Sequence, residues 1–230
     1  MKKLIISGII ASLLIPVTAF GSFSDINSYT DYRSAIEWMA GNGVIDGYPD
    51  GSFQPDRCVN RVEMLKMLFL ANETPLSSVQ GSIFPDVDFS QWYGPYVSTA
   101  FYGENRQIEG YPDGTFKPSQ CVNRVEAIKM AILEFNDGQI PSYEEGLWSF
   151  ADVDRSKWYG QYIVPALFNS LVGSEHMAPA SPGEVEATNF YPANPMTRKE
   201  VAEMLYRMKA VKDHKVQAYP WDGNLVPFAL

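Results

Sequence analysis

Gly47–Glu63 reads GYPDGSFQPDRCVNRVE, and Gly110–Glu126 reads GYPDGTFKPSQCVNRVE. Tyr48 corresponds to Tyr111, Cys58 to Cys121 and Arg61 to Arg124, all at one offset of 63 positions. Near-identity at a fixed offset marks a tandem unit that stacks on copies of itself.

Just inside the end of each copy a helix begins. Asn60-Arg61-Val62-Glu63 and Asn123-Arg124-Val125-Glu126 place Asn before a helix and Glu three residues on. That is a capping-box arrangement, in which Asn60 and Glu63, or Asn123 and Glu126, satisfy free backbone donors. Thr197-Arg198-Lys199-Glu200 repeats it, with Thr197 and Glu200 as the caps. Apolar stripes at helical spacing follow: Val62, Leu65, Leu68, Phe69; then Val125, Ile128, Ala131, Ile132; then Val201, Met204, Leu205, Met208.

Upstream of each helix start lies an opening of aromatic, variable residue and Asp: Phe23-Ser24-Asp25, Phe84-Pro85-Asp86 and Phe150-Ala151-Asp152. Trp92 and Trp158 follow the second and third openings. A first helix then shows its apolar face as Tyr32, Ala35, Ile36, Met39 and Ala40. Tyr96, Val97, Ala100 and Phe101 repeat that face, as do Tyr162, Ile163, Ala166 and Leu167. Between the helices the GYPDG pieces are turns: Pro presets φ, Asp50 and Asp113 bond downstream backbone, and Gly51 and Gly114 take positive φ.

The fold class is therefore all-α, with three helix-loop-helix units at 22–80, 81–146 and 147–210. Unit three lacks the GYPDG turn and reads as carrying an inserted surface loop at 173–189. Residues 211–230 form an aperiodic C-terminal tail. A unit this small cannot bury a core alone, so the three must pack together.

Residues 1–21 read as a signal peptide. Lys2 and Lys3 precede an apolar run from Leu4 to Ala19, which is short for a spanning helix. No comparable run follows, so the mature chain is expected to be exported and free of membrane spans. Export permits a disulfide. Cys58 and Cys121 either form one, closing a loop worth about 4 kcal/mol in the chain-entropy model, or remain two buried thiols.

The 230 residues are 46% hydrophobic and 20% charged, with a formal net charge of −9. That is globular composition, and its acidity argues against nucleic acid or an anionic membrane as partner.

These openings, turns and helix starts resemble the S-layer homology family, whose hallmark at the second helix is Thr-Arg-Ala-Glu. The resemblance spans about Phe23 to Lys209. It implies a pseudo-threefold arrangement with the second helices gathered centrally. It also implies noncovalent binding, in grooves between units, of a cell-wall-linked polysaccharide or other peptidoglycan-linked glycan, often pyruvylated. Carried over by position, the binding residues would be Arg61, Arg124 and Arg198, with Gly51, Gly114, Asp25, Asp86 and Asp152 nearby. The chemistry agrees: a helix N-terminus offers free N–H groups to a carboxylate, and Arg adds a planar fork. Trp92 and Trp158 would offer flat faces to a sugar ring. Unit three has Lys199 at the Ala position and no GYPDG turn, so Arg61 and Arg124 are the arginines with intact motifs.

Plainer readings stand beside these. The arginines can instead bridge to carboxylates of a neighbouring unit, and the tryptophans can be core. Asp86-Val87-Asp88 lacks the rest of a calcium loop. No metal site or cofactor is expected. His176 and His214 are the only histidines, and no nucleophile motif accompanies them. The chain thus reads as a binding protein of the cell envelope and not an enzyme. The alternative is an assembly protein whose units bind other envelope proteins, favoured by the lack of a cargo domain after unit three. Replacing Arg61 and Arg124 with Ala is expected to abolish wall binding and leave the fold intact.

Overall fold

A computed structural model describes residues 23–78, 81, 83–142, 150–169, 171 and 189–214. The expected signal segment, the expected inserted loop except Asn189, and residues 215–230 lie outside the described residues.

Six α-helices follow in pairs: α1 (Arg33–Gly41) with α2 (Arg61–Ala71), α3 (Gly94–Tyr102) with α4 (Arg124–Phe135), and α5 (Gly160–Phe168) with α6 (Arg198–His214). Among the described residues, strand-like pairing is limited to three isolated bridges. The last helix runs four residues into the stretch read as aperiodic. Lys209 pairs with Asp213 one turn on, at 3.4 Å, and Lys212 Nζ donates to Asn72 Oδ1 at 2.7 Å beyond the end of α2. Tertiary anchoring therefore extends a helix whose sequence pattern had already faded.

The residues just before α2, α4 and α6 close a ring. Val59 N donates to Met196 O, Val122 N to Val59 O and Met196 N to Val122 O, at 2.9, 2.9 and 3.0 Å. The bridges Cys58–Thr197, Asn60–Cys121 and Asn123–Pro195 repeat the same cycle. This is a pseudo-threefold axis made of backbone.

From that ring α2, α4 and α6 run together and pack on one another. Each first helix then packs on the second helix of the unit before it: α3 on α2, α5 on α4 and α1 on α6. The last contact joins the two ends of the described chain. Because α2 meets three neighbours, it is buried nearly all round. Met64, Met67 and Ala71 are buried beside the four-residue stripe read from the sequence.

Cys58 and Cys121 form a disulfide, with Cα atoms 5.8 Å apart. It staples units one and two beside the ring, and Pro195 holds the corresponding place in unit three. A second fastening is Glu134 on α4. Its fully buried carboxylate accepts from Asn72 Nδ2 at 2.7 Å and from Thr74 and Gln107, tying the end of α2 to the loop after α3.

Candidate functional site: a groove between units

The three opening aspartates hold the loops. Asp25 accepts the N–H groups of Phe53 and Gln54, both at 2.7 Å. Asp86 accepts those of Phe116 and Lys117, and Asp152 those of Phe190 and Tyr191, at 2.7 to 2.9 Å. The third set brings unit three back into frame beyond the insertion. Each carboxylate is a clamp that takes one N–H group on each oxygen. Gly51 and Gly114 sit at φ 79° and 80° in the exposed turns, as their motif requires. Asp50 and Asp113 hold the hydroxyls and N–H groups of Ser52 and Thr115, which lowers both carboxyls below their ordinary value.

The second helices do not offer free N-termini. Arg61 N donates to Gln120 O, Arg124 N to Asn194 O and Arg198 N to Arg57 O, at 2.9 to 3.0 Å. The next N–H of each helix goes to Pro118, Pro192 or Pro55. The third goes to the cap: Glu63 N to Asn60 and Glu126 N to Asn123, both at 2.9 Å, and Glu200 N to Thr197 at 3.4 Å. The glutamates return the bond to the cap backbone, completing three capping boxes. The expected anion site on bare helix N–H groups is therefore occupied by the neighbouring unit's loop. The fold spends these donors on joining units.

The arginine side chains cross the same joints. Arg61 Nε donates to Phe116 O at 2.8 Å, Nη1 lies 3.3 Å from Glu126, and the guanidinium lies over the rings of Tyr111 and Phe116. Arg198 repeats this on unit one: Nε to Phe53 O at 2.9 Å, Nη2 to Asp46 O at 2.9 Å, over Tyr48 and Phe53. Arg124 reaches Glu200 at 2.9 Å, but among the described residues its buried Nε finds no acceptor. Each arginine serves the loop of the next unit. The missing turn of unit three is therefore felt by Arg124, and the intact settings belong to Arg61 and Arg198. That reverses the order suggested by the motifs alone. All three arginines are buried.

A groove of about 370 Å³ opens beside Arg61, between the loop of unit two and α5. That volume lies in the range of about 300–1,000 Å³ typical of small-molecule sites. Tyr111, Glu126, Lys129, Trp158 and Tyr162 line it, with Gln107–Pro112 as one wall. Trp158 is 52% exposed, and so serves as a face and not as core. Lys129 Nζ stands 5.7 Å from the centre of its ring and 3.6 Å from Glu109. The Tyr111 hydroxyl donates to Glu126 at 2.7 Å, and burial first, then that bond, pushes its pKa up to about 12.

The same residue types recur at the corresponding positions one unit back: Arg198, Tyr48, Glu63, Lys66, Trp92 and Tyr96. Trp92 is 53% exposed, and Lys66 lies 3.4 Å from Asp46. The third joint differs. Among the described residues, Arg124, Glu200, Glu203, Arg207 and Tyr32 line a small recess there. Asp31 stands where the others have Trp, and Glu203 where they have Lys. The lysines were not among the residues singled out by sequence. Their signal was available: each stands three residues beyond the capping glutamate in both intact units.

The fold is a cyclically closed helical module of three units with a groove at a joint between units. Residues 22–65 and 83–128 match the family model of the S-layer homology domain, and through these two units the chain belongs to that family. The Surface-layer 125 kDa protein of Lysinibacillus sphaericus is 30% identical over 206 residues, covering 87% of this chain and 16% of the relative. The Cellulosome-anchoring protein of Acetivibrio thermocellus is 26% identical over 159 residues, 62% of this chain and 34% of the relative. The Middle cell wall protein of Brevibacillus brevis is 26% identical over 167 residues, 68% and 15%. The chain thus spans between 15% and 34% of the length of these three relatives. Family membership makes it a cell-surface protein. Among the described residues no helix is long and apolar enough to cross a membrane.

Proposed function

We propose that this chain attaches noncovalently to a cell-wall-linked polysaccharide through its inter-unit grooves, and acts by binding and not by catalysis. The observation that carries this reading is the groove beside Arg61. It combines a half-exposed Trp158 face, amide and hydroxyl groups from Gln161 and Tyr162, and the Lys129 ammonium. A flat aromatic face with polar groups around it suits a pyranose, whose C–H face is apolar and whose rim is hydroxylated. Relatives named as surface-layer, cellulosome-anchoring and cell wall proteins support a role at the envelope.

The test is sedimentation of the purified chain with wall sacculi, before and after chemical removal of their attached polysaccharide. Binding that disappears on stripping supports the reading. Equal binding to stripped sacculi assigns the contact to peptidoglycan itself. Binding to neither preparation overturns the reading and turns the search to envelope proteins.

A further inference from the structure

We infer that Glu134 is a positioning residue for the groove: through Gln107 it fixes the wall at 107–112, and so sets the shape that receives a sugar, without lining the groove itself. This deepens the polysaccharide reading above and rests on it.

The wall is fastened to α4 at both ends. At one end Gln107 Nε2 donates to Glu134, and at the other the Tyr111 hydroxyl donates to Glu126 at 2.7 Å. The two glutamates are eight residues apart (134 − 126) on α4, a rise of about 12 Å. The four residue steps (111 − 107) from Gln107 to Tyr111 reach at most about 14 Å. The spacing of the clasps thus matches the chain they hold. Between them Lys129 stands 3.6 Å from a 67%-exposed Glu109 side chain, a pairing that solvent weakens. The ends, and not this middle contact, set where the wall lies.

Glu134 divides its oxygens between two tasks. Oε1 accepts from Asn72 and Thr74 at the end of α2. Oε2 accepts from Gln107, with Asn105 Nδ2 at 3.5 Å. The carboxylate is fully buried, and among the described residues its hydrogen-bond donors are all neutral. Such a group is costly to bury and is kept there only by its bonds. Gln107 is buried too, and among the described residues its Oε1 takes no donor. That amide is unfavourable where it stands, apart from its bond to Glu134.

The pair is peculiar to unit two. Ala71 on α2 and Met208 on α6 hold the place of Glu134, and Val44 holds that of Gln107 in unit one. All three are buried. Apolar side chains therefore fill this site elsewhere in the molecule at less cost, whereas a satisfied polar network fixes a chain in one arrangement. The carboxylate occurs behind the wall of the groove beside Arg61, which Gln107 lines and Glu134 does not.

The experiment compares the two sides of this carboxylate in the full chain. Sedimentation with wall sacculi gives affinity, the melting temperature gives stability, and the Glu109 and Gly110 amide resonances report the wall. Gln107→Leu and Glu134→Met are expected to shift both resonances. They should also weaken binding about 3- to 10-fold at temperatures well below melting, the loss of one hydrogen bond that sets the wall. Thr74→Val, which removes a bond from Oε1, is expected to lower the melting temperature yet bind like the parent, with both resonances in place. The inference is overturned if either folded variant of the Gln107–Glu134 pair binds like the parent. It is equally overturned if Thr74→Val weakens binding as much as Gln107→Leu, which is what a purely stabilising carboxylate would give. A parent that binds no sacculi overturns the polysaccharide reading and this inference with it, and that failure is told apart because it shows in the parent.

Discussion

Arg61 of unit one lies 3.3 Å from Glu126, the residue that caps the second helix of unit two. A helix start in one unit is thereby locked to a helix start in the next, and the pair is nearly dry. Such a joint makes the motif arginine a stabilising residue first.

Arg61→Ala should therefore destabilise the chain by roughly 3–5 kcal/mol, the usual cost of leaving a buried partner charge unpaired. Arg61→Lys should recover only part, because an ammonium cannot reach both Phe116 O and Glu126 as a planar fork does. Urea unfolding followed by far-UV circular dichroism measures both. This replaces the expectation that arginine variants leave the fold intact.

Reduction of Cys58–Cys121, or Cys58→Ser with Cys121→Ser, should lower stability by about 2–4 kcal/mol while leaving the helices formed. The backbone ring at Val59, Val122 and Met196 does not depend on it. Urea unfolding with and without reductant gives the difference.

Asp86→Ala removes two charge-assisted bonds, to Phe116 N and Lys117 N, and should cost about 2–4 kcal/mol. Amide hydrogen exchange at these two positions should accelerate more than at the Val122 amide, which lies in the ring. Equal acceleration at all three would mean global opening and not a lost clamp.

Burial pushes the Glu200 carboxyl up, but bonds from the Thr197 backbone and hydroxyl, together with Arg124, outweigh it and hold the group below its ordinary value. A carboxylate with a depressed folded pKa contributes stability above its unfolded pKa and loses it as pH falls through the folded one. Stability should thus drop as pH falls below the ordinary carboxylate range. Glu200→Gln should flatten part of that drop, read from melting temperatures across an acid series. At the other end, raised pKa values of Tyr111, Tyr162 and Tyr206 mean that stability holds up to the ordinary tyrosine range near 10 and declines above it, toward about 12 for Tyr111.

Much of this architecture is legible in the sequence because each unit repeats it. The capping boxes, the turn glycines and the paired helices follow from local chemistry, and a repeat restates local chemistry twice. Three things were hidden because they depend on how units meet. Bridging of the arginines to a neighbouring unit was one of the open readings; the first hidden thing is that each serves the loop of the next unit, which moves the weak setting from Arg198 to Arg124. The second is the occupation of the helix N–H groups by Gln120, Asn194 and Arg57 carbonyls. The third is Glu134, a carboxylate in the core whose partners Asn72, Thr74 and Gln107 belong to separate segments. Trp92 and Trp158 were open between core and surface, since apolar spacing cannot say which face a neighbouring unit will cover.

The central claim is that the groove marked by Trp158 holds the wall polysaccharide. The direct measurement is NMR of the tryptophan indole N–H resonances during titration with polysaccharide released from the wall. The account predicts that the Trp158 signal moves, while that of Trp38, packed on Tyr206, stays in place. Binding that leaves the Trp158 signal unmoved would contradict it.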